Sequence, residues 1–135
     1  MSKPIEIIIV DDDHDDQEFL KFAISEVIPE SKIISFFNGS DVVAYISDGK
    51  HKPHVIFMDL NLPKLDGETA TVTIRKNSNY INVPIIVLST CTDPAKMEDL
   101  KRVGANEYYC KPHSIALYVD IVKEVNTKWI MKNIS

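Results

Sequence analysis

Side chains that can bind a metal ion or transfer a group directly follow the apolar runs of this chain. Asp11 and Asp12 follow the first run, Asp59 follows the third, Ser89 follows the fourth and Lys111 follows the fifth. Two carboxylates about 4 Å apart repel by roughly 1 kcal/mol in water and about 4 kcal/mol near a protein surface. Three carboxylates in one place therefore need a cation or a raised pKa.

The residue types narrow the chemistry of such a site. Carboxylate oxygens without cysteine or histidine ligands suit a hard divalent ion, Mg²⁺ or Mn²⁺, better than zinc. Lys111 and Ser89 would supply a positive charge and a hydrogen-bond donor for a phosphoryl group. An aspartate beside the metal can act as a nucleophile and form an acyl phosphate.

Each of these residues also has a simpler structural explanation. A pair of aspartates after a strand can be a helix cap, Lys111 can be a surface lysine, and Ser89 can cap a turn. We interpret Asp13, Asp15 and Asp16 as an acidic helix start, which the helix dipole favours, and His14 as an exposed residue beside them. The combination at successive strand ends is what favours a functional site.

The apolar runs predict how the chain brings these residues together. Five strand patterns alternate with five helix patterns, which is typical of one parallel sheet covered by helices on both faces. In such sheets ligands bind at the carboxyl ends of the strands, and right-handed crossovers bring those ends to one edge. The predicted strands are residues 5–10, 33–37, 55–58, 84–88 and 107–110.

Capping and stop signals place several helices. Asp66 is predicted to cap the helix that Gly67 opens, and Asp93 with Pro94 is predicted to begin the next one, which ends at Gly104. The last helix is predicted to bury one apolar face, made of Leu117, Ile121, Val125 and Trp129.

Length and composition exclude several classes of protein. The 135 residues fit one domain, 1–135, and we expect no separate output domain. A net charge of −5 gives no electrostatic reason to bind nucleic acid, and no apolar run approaches the roughly 20 residues that span a membrane. We expect Cys91 and Cys110 to be reduced thiols in a cytoplasmic protein. The apolar residues from Trp129 onwards belong to the core or, as an alternative, to a homodimer or partner surface.

The motifs resemble the receiver domain of two-component response regulators, of the single-domain, CheY-like kind. The resemblance is carried by Val10-Asp11-Asp12, by DLNLPKLDG from Asp59 to Gly67, by PIIVLST from Pro84 to Thr90, and by Lys111-Pro112. It extends over essentially the whole chain. The segments DLNLPK and LST are most similar to the corresponding segments of the short regulators paired with bacterial phytochromes. The resemblance implies a doubly wound five-stranded sheet in the order 2-1-3-4-5.

The resemblance also implies a role for each residue of the site. Asp59 matches the aspartate that a histidine kinase or phosphotransfer protein phosphorylates. Asp12 matches a direct Mg²⁺ ligand, Asp11 helps to bind the metal, and the backbone carbonyl of Asn61 matches the ligand that completes its shell.

Three further positions match the part of the family that binds the phosphoryl group and switches conformation, and Thr90 beside them departs from the common pattern. Ser89 matches the switch hydroxyl, and Thr90, where many receivers have alanine, narrows access to the phosphoryl group. Lys111 matches the lysine that contacts a phosphoryl oxygen, and Tyr108 the aromatic that changes rotamer. Cys91, two residues after Ser89, lies where the family tunes hydrolysis.

The function expected from the sequence is a phosphorylation-operated binding module. Its partners would be a kinase or phosphotransfer protein and an unidentified downstream protein, without nucleic acid or membrane, and the protein would be a monomer or weak homodimer. One alternative is a Mg²⁺-dependent phosphohydrolase with Asp59 as nucleophile, although Asn61 stands where such an enzyme needs its acid. The other is a constitutive interaction domain that is not phosphorylated.

Overall fold

The chain forms a five-stranded parallel sheet. The computed structural model describes residues 4–90 and 94–133. The strand order is β2-β1-β3-β4-β5, and every neighbouring pair is parallel. The predicted fold class and strand order are confirmed. The strands are β1 Glu6–Val10, β2 Lys32–Phe36, β3 Val55–Met58, β4 Ile85–Ser89 and β5 Glu107–Cys110.

A helix follows each strand, as the alternating pattern predicts. Asp13, Asn38, Asp66 and Ser114 cap four of these helices, each accepting a hydrogen bond from a backbone N–H in the first turn. The predicted cap Asp93 lies outside the described residues. The helices are α1 His14–Val27, α2 Gly39–Ile46, α3 Gly67–Arg75, α4 Pro94–Arg102 and α5 Ile115–Val125, and helical turns Asn126–Ile130 and Met131–Asn133 continue α5.

The strands β1, β3 and β4 are buried on both faces, which explains why they are apolar without alternation. Ile7, Ile9 and Phe57 pack in one core cluster with residues of α1 and α5. Ile8 and Ile56 face the opposite side and pack with residues of α2 and α3. A smaller cluster behind β4 and β5 contains Val87, Leu100, Ala105 and Tyr108.

The predicted buried face of α5 is wrong in part. Tyr118, Val122 and Val125 are the buried residues of this helix, whereas Leu117 is 49% exposed. Packing of α5 against α1 and the sheet selects the face that contains Tyr118, a large residue that the apolar pattern did not include. Trp129 packs partly buried against the same core cluster, which agrees with the core alternative for this residue. Met131 is 61% exposed.

The expectation of reduced cysteines is not met at Cys110, which is disulfide-bonded in the structure. In the sheet, Cys110 pairs with Ser89 of β4. Cys91 itself lies outside the described residues.

No helix within residues 4–90 and 94–133 is both long enough and apolar enough to cross a membrane.

Leu20 of α1 is buried and Leu117 of α5 is exposed, so replacing each by alanine is expected to change the free energy of unfolding by different amounts. Leu20 is 3% exposed in the core cluster that also contains Tyr118 and Val122. Leu20→Ala is expected to lower the free energy of unfolding by about 2–5 kcal/mol, because it leaves a cavity. The control Leu117→Ala is expected to change it by no more than about 0.5 kcal/mol. Urea unfolding measures both, and similar losses for the two variants would contradict the observed face of α5.

Candidate functional site

Backbone hydrogen bonds bring the residues that follow the strands to one edge of the sheet. The N–H of Asp11 donates to the carbonyl of Phe36 at 3.0 Å, and the N–H of Asp59 donates to the carbonyl of Val10 at 2.9 Å. The N–H of Lys111 donates to the carbonyl of Ser89 at 2.7 Å. Backbone pairing therefore continues one residue beyond these strands. It fixes the backbone positions of Asp11, Asp59 and Lys111 at the edge of the sheet.

Three carboxylates meet at this edge and are called the acidic cluster below. Oxygen atoms of Asp11, Asp12 and Asp59 all lie within 4.8 Å of one another. Asp11 and Asp59 are only 6% and 5% exposed, whereas Asp12 is exposed. The cluster thus combines two buried carboxylates with one that reaches solvent, and all its ligand atoms are oxygens, which hard divalent ions prefer.

The Lys111 ammonium lies against the acidic cluster and neutralises part of its charge. Its Nζ lies 2.9 Å from an oxygen of Asp11, 2.9 Å from Asp59 and 2.7 Å from Asp16. Burial alone would lower the pKa of Lys111, but the hydrogen bonds to Asp16, Asp59 and Asp11 outweigh it and raise that pKa above its ordinary value. Lys111 is therefore a permanent positive charge at the site.

One ammonium does not balance the buried carboxylates. Burial raises the pKa of Asp11 to about 7, and the charge of Asp59 adds to this effect. The hydrogen bond from the N–H of Asp13 and the contact with Lys111 act in the opposite direction without cancelling it. The site thus favours an additional cation at neutral pH, and the residues present fit a divalent metal ion.

Both oxygens of Asp59 are held by hydrogen bonds. Oδ1 accepts from the hydroxyl of Ser89 at 2.5 Å and from the backbone N–H of Leu60 at 2.7 Å, while Oδ2 accepts from Lys111 at 2.9 Å. Ser89 itself is buried. These bonds fix the orientation of the carboxylate and place a hydroxyl and an ammonium on its two oxygens.

Tyr108 connects β5 to the residue that follows β4. Its side chain is 8% exposed, and its hydroxyl donates to the carbonyl of Thr90 at 2.6 Å. The side chain of Thr90 is exposed, next in sequence to the buried Ser89. The tyrosine therefore points inward and is linked to the segment that carries the hydroxyl bound to Asp59.

A cleft of about 410 Å³ opens beside the acidic cluster. Asn61, which is exposed, lines it together with Ser89 and Thr90. An ion pair between Glu68 of α3 and Lys96 of α4 also lies on its wall. The cleft therefore adjoins the site on the side that Ser89 and Thr90 form.

Gly67 is required by a close approach of α3 to the site. A Cβ atom at this position would lie 1.9 Å from the carbonyl oxygen of Asp59, and the N–H of Gly67 donates to the carbonyl of Leu60 at 2.8 Å. The sequence analysis recognised Gly67 only as a helix start. Its role in setting the position of Asp59 depends on a contact between backbones that no sequence pattern reveals.

The sequence analysis missed Gln17, which holds the ends of β1 and β2 together. Its amide nitrogen donates to the carbonyls of Asp11 and Phe36 at 3.0 and 2.8 Å, and the residue is 1% exposed. A signal was present: Gln17 lies three residues before Leu20 and seven before Ile24, on the buried stripe of α1. A polar residue on such a stripe indicates a buried hydrogen-bonding role.

The structure brings five of the eight predicted site residues into direct contact and places the other three around them. Asp11, Asp12, Asp59, Ser89 and Lys111 converge directly at the edge of the sheet. The remaining three are arranged around them, with Asn61 and Thr90 on the cleft and Tyr108 bonded to the carbonyl of Thr90.

The response regulator receiver domain family matches residues 7–123, which is most of the chain. The chain belongs to this family. The matched residues include Asp11, Asp12, Asp59 and Lys111, so the site lies within the receiver domain.

Curated relatives and solved structures agree with this assignment. The receiver domain is 27% identical to the protein PilG of Pseudomonas aeruginosa over 113 residues, which cover 84% of this chain and 81% of PilG. Some other curated relatives are longer proteins, of which the chain spans less than half.

Two solved structures show how closely the fold agrees. The structure of the phosphorylated cyanobacterial phytochrome response regulator RcpA has a TM-score of 0.86 at 23% identity, covering 96% of each chain. The receiver domain of the sensor histidine kinase PA1611 from Pseudomonas aeruginosa has a TM-score of 0.78 at 27% identity, covering 96% of this chain and 99% of that one. That structure has a magnesium ion coordinated in its active site cleft.

The raised pKa of Asp11 leads to a prediction for the receiver domain without divalent ions. At pH 8 Asp11→Asn is expected to raise the free energy of unfolding by about 1–2 kcal/mol. The variant removes the cost of burying an ionised carboxylate, to which repulsion from Asp59 adds, and this outweighs the lost attraction to Lys111. The gain shrinks as the pH falls through about 7 and disappears below the ordinary pKa of 3.8, where the carboxyl is protonated in both states.

Urea unfolding at several pH values measures this effect, and Asp15→Asn is the matched control. Asp15 is exposed in the first turn of α1, so its loss is expected to be neutral or slightly destabilising through the helix dipole. If Asp11→Asn is less stable than the wild type at pH 8, the ionised Asp11 carboxylate does not destabilise the metal-free protein.

Proposed function

We propose that this receiver domain is a phosphorylation-operated switch in which Asp59 accepts a phosphoryl group. The observation that carries the proposal is the environment of Asp59. Its carboxylate is buried, bound by the ammonium of Lys111 and the hydroxyl of Ser89, and adjacent to two further carboxylates. This arrangement supplies a nucleophile, a metal-binding group and donors for a phosphoryl oxygen in one place.

The phosphoryl donor would be a phosphohistidine of a sensor histidine kinase or of a phosphotransfer protein. An oxygen of Asp59 forms the new O–P bond while the P–N bond breaks, and its electron pair stays on the imidazole nitrogen. No general base is needed because the nucleophile is already a carboxylate. Catalysis then consists of positioning and charge stabilisation.

The acidic cluster is the proposed metal site. Asp11, Asp12 and Asp59 would hold Mg²⁺, or Mn²⁺, with the backbone carbonyl of Asn61 as a further ligand. When bound, the metal neutralises charge on the phosphoryl oxygens and orients the donor. Relatives support this choice, since the PA1611 receiver domain binds magnesium and a structure of the response regulator Rcp1 is a Mn²⁺-bound form.

Ser89, Thr90, Lys111 and Tyr108 are the proposed phosphoryl-binding and switching residues. Ser89 and Lys111 already donate to Asp59 and can transfer those bonds to phosphoryl oxygens. Tyr108 is bonded to the carbonyl of Thr90, so a movement of Ser89 toward the phosphoryl group would favour the inward position of the tyrosine. Phosphorylation would then shift the population toward one conformation of the surface formed by α4 and β5.

We propose that the chain acts as a stand-alone regulator with a single domain, 1–135, and no catalytic activity on other substrates. Its output would be the docking of a downstream protein, or transfer of the phosphoryl group onward, by a monomer or weak homodimer. We also propose a cytoplasmic location. Because cytosolic thiol systems reduce most disulfides, the disulfide at Cys110 is then expected only under oxidising conditions.

Intact-mass measurement after incubation with acetyl phosphate tests the proposed function. The wild-type protein with Mg²⁺ is expected to gain one phosphoryl group, as Asp59 attacks phosphorus and acetate leaves. Asp59→Asn is expected to gain none, because an amide is a poor nucleophile, and chelation of Mg²⁺ is expected to remove most of the wild-type signal.

Asp120→Asn, a change of an exposed aspartate on α5, serves as the matched control and is expected to behave like the wild type. An adduct that persists in Asp59→Asn would contradict the assignment of the acceptor. A folded wild-type protein without any adduct would favour the constitutive interaction domain. Repeated turnover of an unrelated phosphomonoester would favour the phosphohydrolase.

A further inference from the structure

Asp16 contacts the site although the sequence explains it as part of a helix start. Its Oδ2 lies 2.7 Å from Nζ of Lys111, the shortest of the three carboxylate contacts of that ammonium. The two residues are 95 positions apart in the sequence. The side chains of Asp16 and Lys111 are 26% and 13% exposed, so this ion pair is largely shielded from solvent.

The hydrogen-bonding capacity of Lys111 is fully used in this arrangement. An ammonium has three N–H donors, and Asp11, Asp16 and Asp59 supply three acceptors at 2.7–2.9 Å. Two of these acceptors, Asp11 and Asp59, belong to the acidic cluster, whereas Asp16 does not. A metal ion and a phosphoryl group would therefore compete with Lys111 for Asp11 and Asp59 but leave Asp16 in place.

The backbone around Asp16 is well anchored. Its N–H donates to the side chain of the capping residue Asp13 at 2.9 Å. The next residue, Gln17, is tied to the carboxyl ends of β1 and β2 by two hydrogen bonds. Asp16 thus projects from a turn of α1 that is fixed to the same edge of the sheet as the acidic cluster.

We propose that Asp16 is a positioning residue for phosphoryl transfer, which holds the Lys111 ammonium beside Asp59 throughout the reaction. This inference rests on the proposed function of Asp59. Before transfer the ammonium is shared among three carboxylates. When Asp11 and Asp59 turn to the metal and the phosphoryl group, Asp16 is the one of the three that keeps Lys111 oriented, and one N–H of Lys111 moves to a phosphoryl oxygen.

The pair of variants Asp16→Ala and Asp16→Asn separates positioning from charge. Asparagine keeps an oxygen acceptor for Lys111 but removes the negative charge, whereas alanine removes both. Asp15→Ala and Asp15→Asn are matched controls, because Asp15 has the same charge and lies in the same helical turn but is exposed. All variants are compared as the full chain at saturating Mg²⁺.

The first measurement is the rate of phosphorylation by acetyl phosphate. Asp16→Ala is expected to react about tenfold more slowly than the wild type, because a mispositioned group costs one to two orders of magnitude. The phosphorylation rate of Asp16→Asn is expected to stay within about threefold of the wild-type rate. The affinity of both Asp16 variants for Mg²⁺, measured by calorimetry, is expected to stay within about twofold of the wild-type affinity. A merely structural role would instead lower the Mg²⁺ affinity and the stability together with the rate.

Two kinetic results would overturn the proposal. If Asp16→Ala reacts like Asp15→Ala, the contact with Lys111 has no role in transfer. If Asp16→Asn is as slow as Asp16→Ala, charge rather than position is what matters. A wild-type protein that is not phosphorylated at all would instead refute the proposed function, which keeps the two failures distinguishable.

A second measurement tests the position of Lys111 independently of phosphorylation. Acetylation by acetic anhydride in the presence of Mg²⁺, followed by peptide mass analysis, reports how accessible the ammonium is. Labelling of Lys111 is expected to be several times faster in Asp16→Ala than in the wild type or in Asp15→Ala, relative to the exposed Lys101 as internal reference. Equal labelling in all three proteins would show that Asp16 does not restrain Lys111.

Discussion

The organisation of this receiver domain depends on the electrostatic balance at the carboxyl edge of the sheet. Two buried carboxylates, a third exposed one and a single ammonium meet there, and the ammonium compensates only part of the negative charge. Burial and the charge of Asp59 raise the pKa of Asp11, and the oxygen atoms of the acidic cluster fit a divalent cation. Under the proposed function, Lys111 and a bound metal ion would together balance the negative charge of the carboxylates and of the phosphorylated donor.

The rest of the fold can be understood as support for that arrangement. The parallel sheet brings the ends of β1, β3, β4 and β5 to one edge, and both of its faces are buried by helices, which makes the edge rigid. Gly67 lets α3 approach the backbone of Asp59, and Gln17 ties α1 to the ends of β1 and β2. A hydrogen bond from Tyr108 to the carbonyl of Thr90 joins β5 to the residue next to Ser89, which is itself bonded to Asp59.

The sequence predicts the strands, their order and the convergence of the main site residues, because apolar strands and the polar residues after them are local patterns. It fails where the answer depends on contacts between distant segments. Leu117 belongs to an apolar pattern but lies on the exposed side of α5, since packing with α1 selects the face with Tyr118. In the sequence Asp16 is an ordinary helix-start residue, and only the fold brings Lys111, which follows β5, beside it.

A crystal structure with Mg²⁺ and beryllofluoride, a stable analogue of the phosphoryl group, would test the central claim most directly. We expect Mg²⁺ bound by Asp11, Asp12 and Asp59, beryllofluoride attached to Asp59, and the ammonium of Lys111 within about 3.2 Å of both a fluorine atom and Asp16. A metal ion bound elsewhere, or Lys111 directed to solvent while Asp59 carries beryllofluoride, would contradict it.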